Sequence, residues 1–217
     1  MDFRFKHPAK FFVAAPSGAG KTTLVLNICR FAEHMFDEPR VKENIIYFYK
    51  EWDKNAFPPV KEEKIIKEFV NAKPTVDLVH KYVDHCENSL IIIDDWGLDL
   101  DKEISEIFKI TAGKTKTSVI LMAQELFEKG SKGPSSSSTY IIAFRNPRDM
   151  SKIRYLARQV APHNPRYIID AYHDATNNNP HSYLFIDTHQ TTPDEYKIRS
   201  RIMPHELPMV IYVEKTH

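Results

Sequence analysis

Residues 11–30 read Phe11-Phe12-Val13-Ala14-Ala15-Pro16-Ser17-Gly18-Ala19-Gly20-Lys21-Thr22-Thr23-Leu24-Val25-Leu26-Asn27-Ile28-Cys29-Arg30. An apolar run suited to a buried strand leads into a tight turn with two glycines. Lys-Thr-Thr then opens a segment with helical apolar spacing. This is the P-loop arrangement of strand, phosphate-cradling turn and helix. Gly18 and Gly20 let the backbone turn and approach a phosphate with no Cβ in the way. The turn's N–H groups and the helix N-terminus form an anion cradle. Ser17, Gly18, Ala19, Gly20, Lys21, Thr22 and Thr23 are therefore the candidate nucleotide-binding residues. Lys21 would reach the β- and γ-phosphates of ATP, and the Thr22 hydroxyl would ligate Mg²⁺. Ala15 stands where the usual pattern has its first Gly, and a small residue serves there.

The second anchor is Ser89-Leu90-Ile91-Ile92-Ile93-Asp94-Asp95. A continuous β-branched run fits a central strand buried on both faces. It ends in two carboxylates, where a parallel sheet presents its ligands. Asp94 is the candidate acid that orients Mg²⁺, and Asp95 occupies the position that often carries a water-activating Glu. Asp95 is shorter than Glu by one methylene. Read without the P-loop, the same run is a strand closing on a solvated acidic turn. Thr117-Ser118-Val119-Ile120-Leu121-Met122 reads as another buried strand, with Gln124 just past its end. In the additional-strand branch of P-loop ATPases a polar side chain there faces the γ-phosphate. An ordinary exposed loop Gln is the other reading.

Composition limits the partners. Lys plus Arg total 30 against 29 Asp plus Glu, a net charge of +1. Nucleic-acid contact must then come from a local patch or an assembled ring, not from bulk charge. Cys29 and Cys86 lack metal-like spacing and read as reduced thiols of an intracellular protein. No signal peptide opens the chain, and no apolar run is long enough to span a bilayer. His163, His173, His181 and His189 show no ligand spacing and read as surface or loop histidines.

The remaining chain supplies the elements of an α/β domain. Residues 2–10 are a basic, aromatic lead-in that could cap the sheet edge or lie near a bound adenine. Helical spacing covers 21–36 and, in two pieces around Pro74, 60–86. Asn44-Ile45-Ile46-Tyr47-Phe48-Tyr49 reads as a strand, followed by a loop around Phe57-Pro58-Pro59. Helices are predicted over 101–112, closed by Gly113, over 150–160, and from Pro165. Strands are predicted over 139–144, 182–187 and, at an edge or partner contact, 209–213. Residues 128–138 form a low-complexity loop of Gly, Lys and Ser.

Taken together, these segments resemble a known family. The P-loop, the Ile-Ile-Ile-Asp-Asp strand and the Ser-Val-Ile-Leu-Met-Ala-Gln strand come in order. Tyr140-Ile141-Ile142-Ala143-Phe144-Arg145-Asn146-Pro147-Arg148-Asp149 and Leu156-Ala157-Arg158-Gln159 are the discriminating blocks, and the Tyr183-Leu184-Phe185-Ile186-Asp187 strand follows. Over about residues 3–205 the chain is similar to the genome-packaging ATPases of Polinton/Maverick elements and adintovirus-like DNA viruses, in the FtsK/HerA branch of P-loop motors. The resemblance implies a three-layer P-loop NTPase domain with a mainly parallel, RecA-like (additional-strand) sheet. It implies one domain over 1–217, with a lead-in at 1–10 and a C-terminal extension at 188–217. It also implies ATP and Mg²⁺ as cofactors and a homo-oligomeric ring, pentamer or hexamer. The ring would translocate double-stranded DNA into a capsid, against a capsid or portal-vertex protein, with no membrane. The location would be the host nucleus or the virion. Lys21, Asp95 and Gln124 would be catalytic. The family's Arg before the fifth strand is replaced here by Pro134 and serines, so a trans-acting arginine falls to Arg145, Arg148 or Arg158, with Arg148 and Arg158 taken as catalytic. Two other functions fit a P-loop: a nucleotide kinase, which would need an acceptor pocket and an arginine-rich lid, and a weakly hydrolysing nucleotide-dependent DNA- or protein-binding module.

Overall fold

The computed structural model describes residues 2–94, 96, 106–108, 115–127, 136–148, 150–177 and 179–215. Its first strand is β1 (Lys10–Ala14), in which Phe11, Phe12 and Val13 are fully buried. Side chains alternate along a strand, so burial on both faces requires a layer of helices on each side. Phe11 and Val13 belong to one core cluster, shared with α1 (Lys21–Arg30), α2 (Ala32–Met35) and α3 (Phe57–Glu62). Phe12 and Ala14 belong to the other, shared with α4 (Val76–Val83), α5 (Met150–Val160) and α6 (Pro165–Asn177). The result is a three-layer α/β/α arrangement.

The other strands are β2 (Ile45–Tyr49), β3 (Glu68–Val70), β4 (Ser89–Asp94), β5 (Thr117–Ala123), β6 (Tyr140–Phe144), β7 (Tyr183–Asp187), β8 (Ile198–Ser200) and β9 (Val210–Tyr212). Among the described residues they form one sheet in the order β3-β2-β4-β5-β1-β6-β7-β8-β9. β3 through β6 in that order run parallel, and β7, β8 and β9 add antiparallel. Strand β5 is inserted between β1 and β4. The glycine turn and the acidic strand end therefore lie on one edge of the sheet, two strands apart.

The expectations hold for most elements and fail where two periods overlap. The helix predicted over 21–36 breaks at Phe31, whose φ of −100° and ψ of 14° end α1 before α2 restarts. Helical spacing over 60–86 is only partly realised. Phe57-Pro58-Pro59 opens α3 instead of forming a loop, with Pro in the first turn, where it gives up no intrahelical bond. Lys64, at φ 55°, turns the chain out of the helix, and Phe69 and Val70 join an edge strand beside β2. Thr75 then caps α4 by accepting from the Leu78 N–H at 3.2 Å. Of the helix predicted over 101–112, a helical turn at 106–108 is described, with Ile107 and Phe108 buried; the rest, with Gly113, lies outside the described residues. So do 128–135 of the low-complexity loop.

The lead-in is held against β5 and β6: the Lys6 N–H donates to the Tyr140 hydroxyl at 2.8 Å, and the His7 ring meets Ser118 Oγ at 2.7 Å. Phe5 is buried among Phe11, Phe36, Tyr140 and Phe185 and bonds backbone to backbone with Met35 and Asp37. Strand β8, which the sequence does not announce, carries Arg199. Its guanidinium donates to Asp187 Oδ2 at 2.7 Å, with both side chains buried, and sits over the Phe185 and Phe3 rings. Breaking one partner of such a pair strands a buried charge, so it fixes the extension to the sheet. Cys29 is buried on α1, and burial pushes its thiol up to about 12, so it stays a neutral packing group. Among the described residues no helix is long and apolar enough to cross a membrane.

Candidate functional site

At the carboxyl edge of the parallel strands lies a cleft of about 480 Å³. Its floor is the turn between β1 and α1. Gly18 and Gly20 have φ of 76° and 97°, the left-handed region that Gly enters without a Cβ clash. Gly20 is the N-cap of α1 and offers no side chain to the helix, and the first turn of α1 has no acidic residue. The N–H groups that a capping side chain would satisfy are left for an anion. Ser17, Gly18, Gly20, Lys21, Thr22 and Thr23 all line the cleft. Ala19 is buried beneath it. Among the described residues the Lys21 ammonium has no hydrogen bond or ion pair, so a half-buried cation faces the cleft uncommitted.

Asp94 lines the opposite wall. It ends β4 on the sheet face shared with α1, because Ile92 and Leu90, two and four residues back, belong to that face. The Tyr47 hydroxyl donates to Asp94 Oδ2 at 2.7 Å. Burial pushes the Tyr47 phenol well above its usual range, and the Asp94 charge adds to the shift, so this group is a fixed donor. A buried carboxylate oriented by a permanent donor, facing a hydroxyl and an ammonium across a polar cleft, is a hard oxygen ligand of the kind Mg²⁺ takes. Thr22 and Asp94 could hold that ion and the glycine turn a polyphosphate. A Cβ at Gly20 would itself crowd the cradle, at 3.1 Å from the His181 ring.

Two further walls were not legible as site residues. The connection from β2 to α3 contributes Lys50, Glu51, Trp52, Asp53 and Phe57. Trp52 packs edge-on against Tyr49, Phe57 and Phe69, and Lys61 lies 5.8 Å from its ring centre. Asp53 Oδ1 accepts from the N–H groups of Asn55 and Ala56, so that oxygen is spent on the turn into α3. Glu51 has no hydrogen bond or ion pair among the described residues. A usable signal existed: these residues directly follow a parallel strand, at the edge where ligands bind. The other wall is His181, read from sequence as a surface or loop histidine. It lines the cleft, and its Nδ1 lies 3.0 Å from the Ala19 carbonyl oxygen. No spacing rule joins residues so far apart in the chain.

The cleft thus gathers six of the seven turn residues together with Asp94, and Ala19 lies behind them. It does not gather the rest. Gln124 is exposed past β5 and lines a separate small recess with Ala14, Ala15 and Asn146. Arg145 and Arg148 follow β6, Arg158 lies on α5, and all three are exposed and absent from the cleft. Asp95 lies outside the described residues.

The chain matches no protein-family model and no curated protein. Among solved structures it is similar to the genome packaging NTPase B204 from Sulfolobus turreted icosahedral virus 2 in complex with ATP-gammaS, at 14% identity and a TM-score of 0.58, covering 89% of this chain and 96% of that one. The same NTPase in complex with sulfate matches at 11% identity and a TM-score of 0.57, covering 97% of this chain and 98% of that one. B204, the DNA-packaging ATPase from Sulfolobus Turreted Icosahedral Virus, matches at 11% identity and a TM-score of 0.57, over 97% of this chain and 99% of that one. At such identities the likeness is one of fold. The chain has a P-loop NTPase fold. In that fold the β1–α1 turn is the P-loop itself, and the strand inserted between it and Asp94 marks the additional-strand arrangement expected from the sequence.

Proposed function

We propose that this chain is an ATP-hydrolysing motor that moves double-stranded viral DNA into a capsid, working as a homo-oligomeric ring. The observation that carries the reading is the pairing, in one cleft, of an uncapped helix N-terminus bearing Lys21 with the buried carboxylate of Asp94. Fold likeness to a DNA-packaging ATPase over nearly the whole length of both chains supports the choice of motor over other P-loop activities.

In this reading the P-loop amides and Lys21 bind the phosphate oxygens and hold the γ-phosphoryl group in line for attack by water. Mg²⁺, held by Thr22 and Asp94, would supply neutralising charge on the β- and γ-phosphates. Asp95 orients the attacking water and accepts its proton. Glu51, which lines the cleft and has no hydrogen bond or ion pair among the described residues, is the other carboxylate able to do so. Gln124, which the resemblance implies as the γ-phosphate sensor, lies past the end of the inserted strand in a recess beside the cleft and would have to turn toward the phosphate to report it. Arg148 or Arg158, exposed and away from its own cleft, reaches the site of that neighbour. DNA is held through its phosphates, which makes binding independent of sequence and sensitive to salt. The capsid or portal-vertex protein and the host nucleus or virion as its location belong to the same proposal.

The test is phosphate release with and without duplex DNA. Stimulation by DNA, lost in Lys21→Ala, supports the motor. Phosphate transfer to a nucleoside monophosphate would make it a kinase, and nucleotide-dependent assembly without turnover would make it a binding module. Asp95→Asn should trap bound ATP; if Glu51→Gln does so instead, the water belongs to Glu51.

A further inference from the structure

His181 comes from the far end of the sequence yet lies on the P-loop. Sheet register places it there. Ala14 on β1 pairs with Ala143 on β6, which pairs with Leu184 on β7. Because β7 is antiparallel, the residues before Leu184 advance in the direction that the chain takes after Ala14. Three residues on from each are Ser17, in the turn after β1, and His181, in the turn before β7, so the two turns leave the same edge of the sheet. The backbone is fixed there: the His181 N–H donates to Asn179 Oδ1 at 2.9 Å and the Ser182 N–H to the Asn179 carbonyl at 3.0 Å.

The ring makes a polar contact with the loop at 3.0 Å, from Nδ1 to the Ala19 carbonyl oxygen. A carbonyl only accepts, so Nδ1 carries the hydrogen. The same nitrogen lies 3.1 Å from where a Cβ would stand on Gly20, so the ring covers the backbone on which the cradle turns. An anion cradle needs its N–H groups turned inward, which turns the alternating carbonyls outward. Ala19 is buried, and a buried carbonyl without a donor is costly.

We propose that His181 is a positioning residue of the polyphosphate site: its Nδ1–H holds the Ala19 carbonyl out of the cleft and keeps the P-loop amides aimed at bound phosphates. The antiparallel strand β7 thereby contributes to nucleotide affinity through the turn that precedes it. The inference rests on the reading that this loop binds a nucleoside triphosphate.

The experiment measures dissociation constants of wild type, His181→Ala and His181→Asn for ATP, ADP and inorganic triphosphate, each with Mg²⁺. Asn carries its amide nitrogen where imidazole carries Nδ1. His181→Ala should weaken all three ligands alike, by about three- to tenfold, the worth of one ordinary hydrogen bond. His181→Asn should return affinity close to wild type, and it keeps the comparison usable if the Ala variant folds poorly. Unchanged binding in His181→Ala overturns the proposal. So does a loss confined to ATP and ADP, which would put the ring against the nucleoside, and so does an Asn variant as weak as Ala. Failure of the wild type to bind any of the three removes the nucleotide reading itself, a different result.

Discussion

The hydroxyl of Tyr47 donates to Asp94 Oδ2 at 2.7 Å, with both residues buried. Their strands are neighbours, and Tyr49 stands opposite Asp94, so Tyr47 reaches across from one pleat earlier on the same face. A phenol kept protonated by burial cannot become a competing anion; it can only donate. Tyr47→Phe removes that donor from a buried carboxylate. The cost to stability should be about 1–3 kcal/mol. Donors that orient a metal-binding carboxylate typically matter by about tenfold or more in metal affinity. The Mg²⁺ concentration for half-maximal ATP hydrolysis should rise accordingly, with ATP affinity in the absence of metal unchanged. A magnesium titration of the variant checks this, and an unchanged midpoint would remove Asp94 as the metal ligand.

Gly20 carries two constraints at once. Its φ of 97° is a left-handed conformation that costs an L-residue about 1–2 kcal/mol. Its Cβ position lies 3.1 Å from His181 Nδ1. Gly20→Ala should therefore lower the thermal midpoint and abolish nucleotide binding together. By contrast, nothing lies within 4 Å of the Cβ position at Gly18. Gly18→Ala bears the dihedral strain alone and should keep measurable binding. Melting curves and a fluorescent-nucleotide titration of the two variants separate strain from crowding.

His7 ties the lead-in to β5. Its Nε2 lies 2.8 Å from the Lys116 carbonyl, so Nε2 carries the hydrogen, and Nδ1, 2.7 Å from Ser118 Oγ, accepts from that hydroxyl. Burial lowers the His7 pKa, outweighing the opposing pull of the Lys116 carbonyl and Asp37. Between the lowered folded value and the unfolded value of about 6.5, the unfolded chain binds more protons. The stability attached to His7 is thus complete above about 6.5 and is lost as pH falls through the folded value. The thermal midpoint of wild type should drop on mild acidification, and the drop should be smaller in His7→Gln. Parallel pH dependence in the two proteins would show that other groups control it.

The sequence made the sheet's parallel core readable because a strand buried on both faces needs an unbroken apolar run, and β1, β4 and β5 each have one. It made the P-loop readable because two of its positions, Gly18 and Gly20, take the left-handed backbone that Gly enters most readily, directly before Lys-Thr. The edge strand β3 was hidden because Ile65, Ile66, Phe69 and Val70 satisfy a helical period as well as an extended one, and only pairing with β2 chooses between them. Tyr47 is readable as a strand residue but not as a partner of Asp94, since that contact joins residues 47 apart in the chain. His181 reaches the P-loop through two strand registers, a relation that exists only once β1, β6 and β7 are side by side. Local chemistry leaves a local signature, and contacts made by topology leave none.

Arg148 and Arg158 give the last prediction. Both are exposed, neither lines the cleft of its own chain, and neither forms an ion pair among the described residues. Arg148 sits in the turn after β6, its N–H bonded to Asn146 Oδ1 at 3.2 Å, and Arg158 projects from the solvent side of α5. If the chain assembles so that one of them meets a neighbour's cleft, an exposed arginine can complete that site, where its charge stabilises the transition state. If one of them does so, its Ala variant should bind ATP normally and hydrolyse it poorly. Lys21→Ala fails for the opposite reason, having the arginine but no competent site. An equal mixture of the two inactive proteins should then recover hydrolysis, because Lys21→Ala subunits lend their arginine to intact sites next door. Recovery with one arginine variant and not the other names the residue. No recovery with either would leave the trans-acting role to Arg145 or place completion of the site within one chain, and Arg148 and Arg158 would not be the finger.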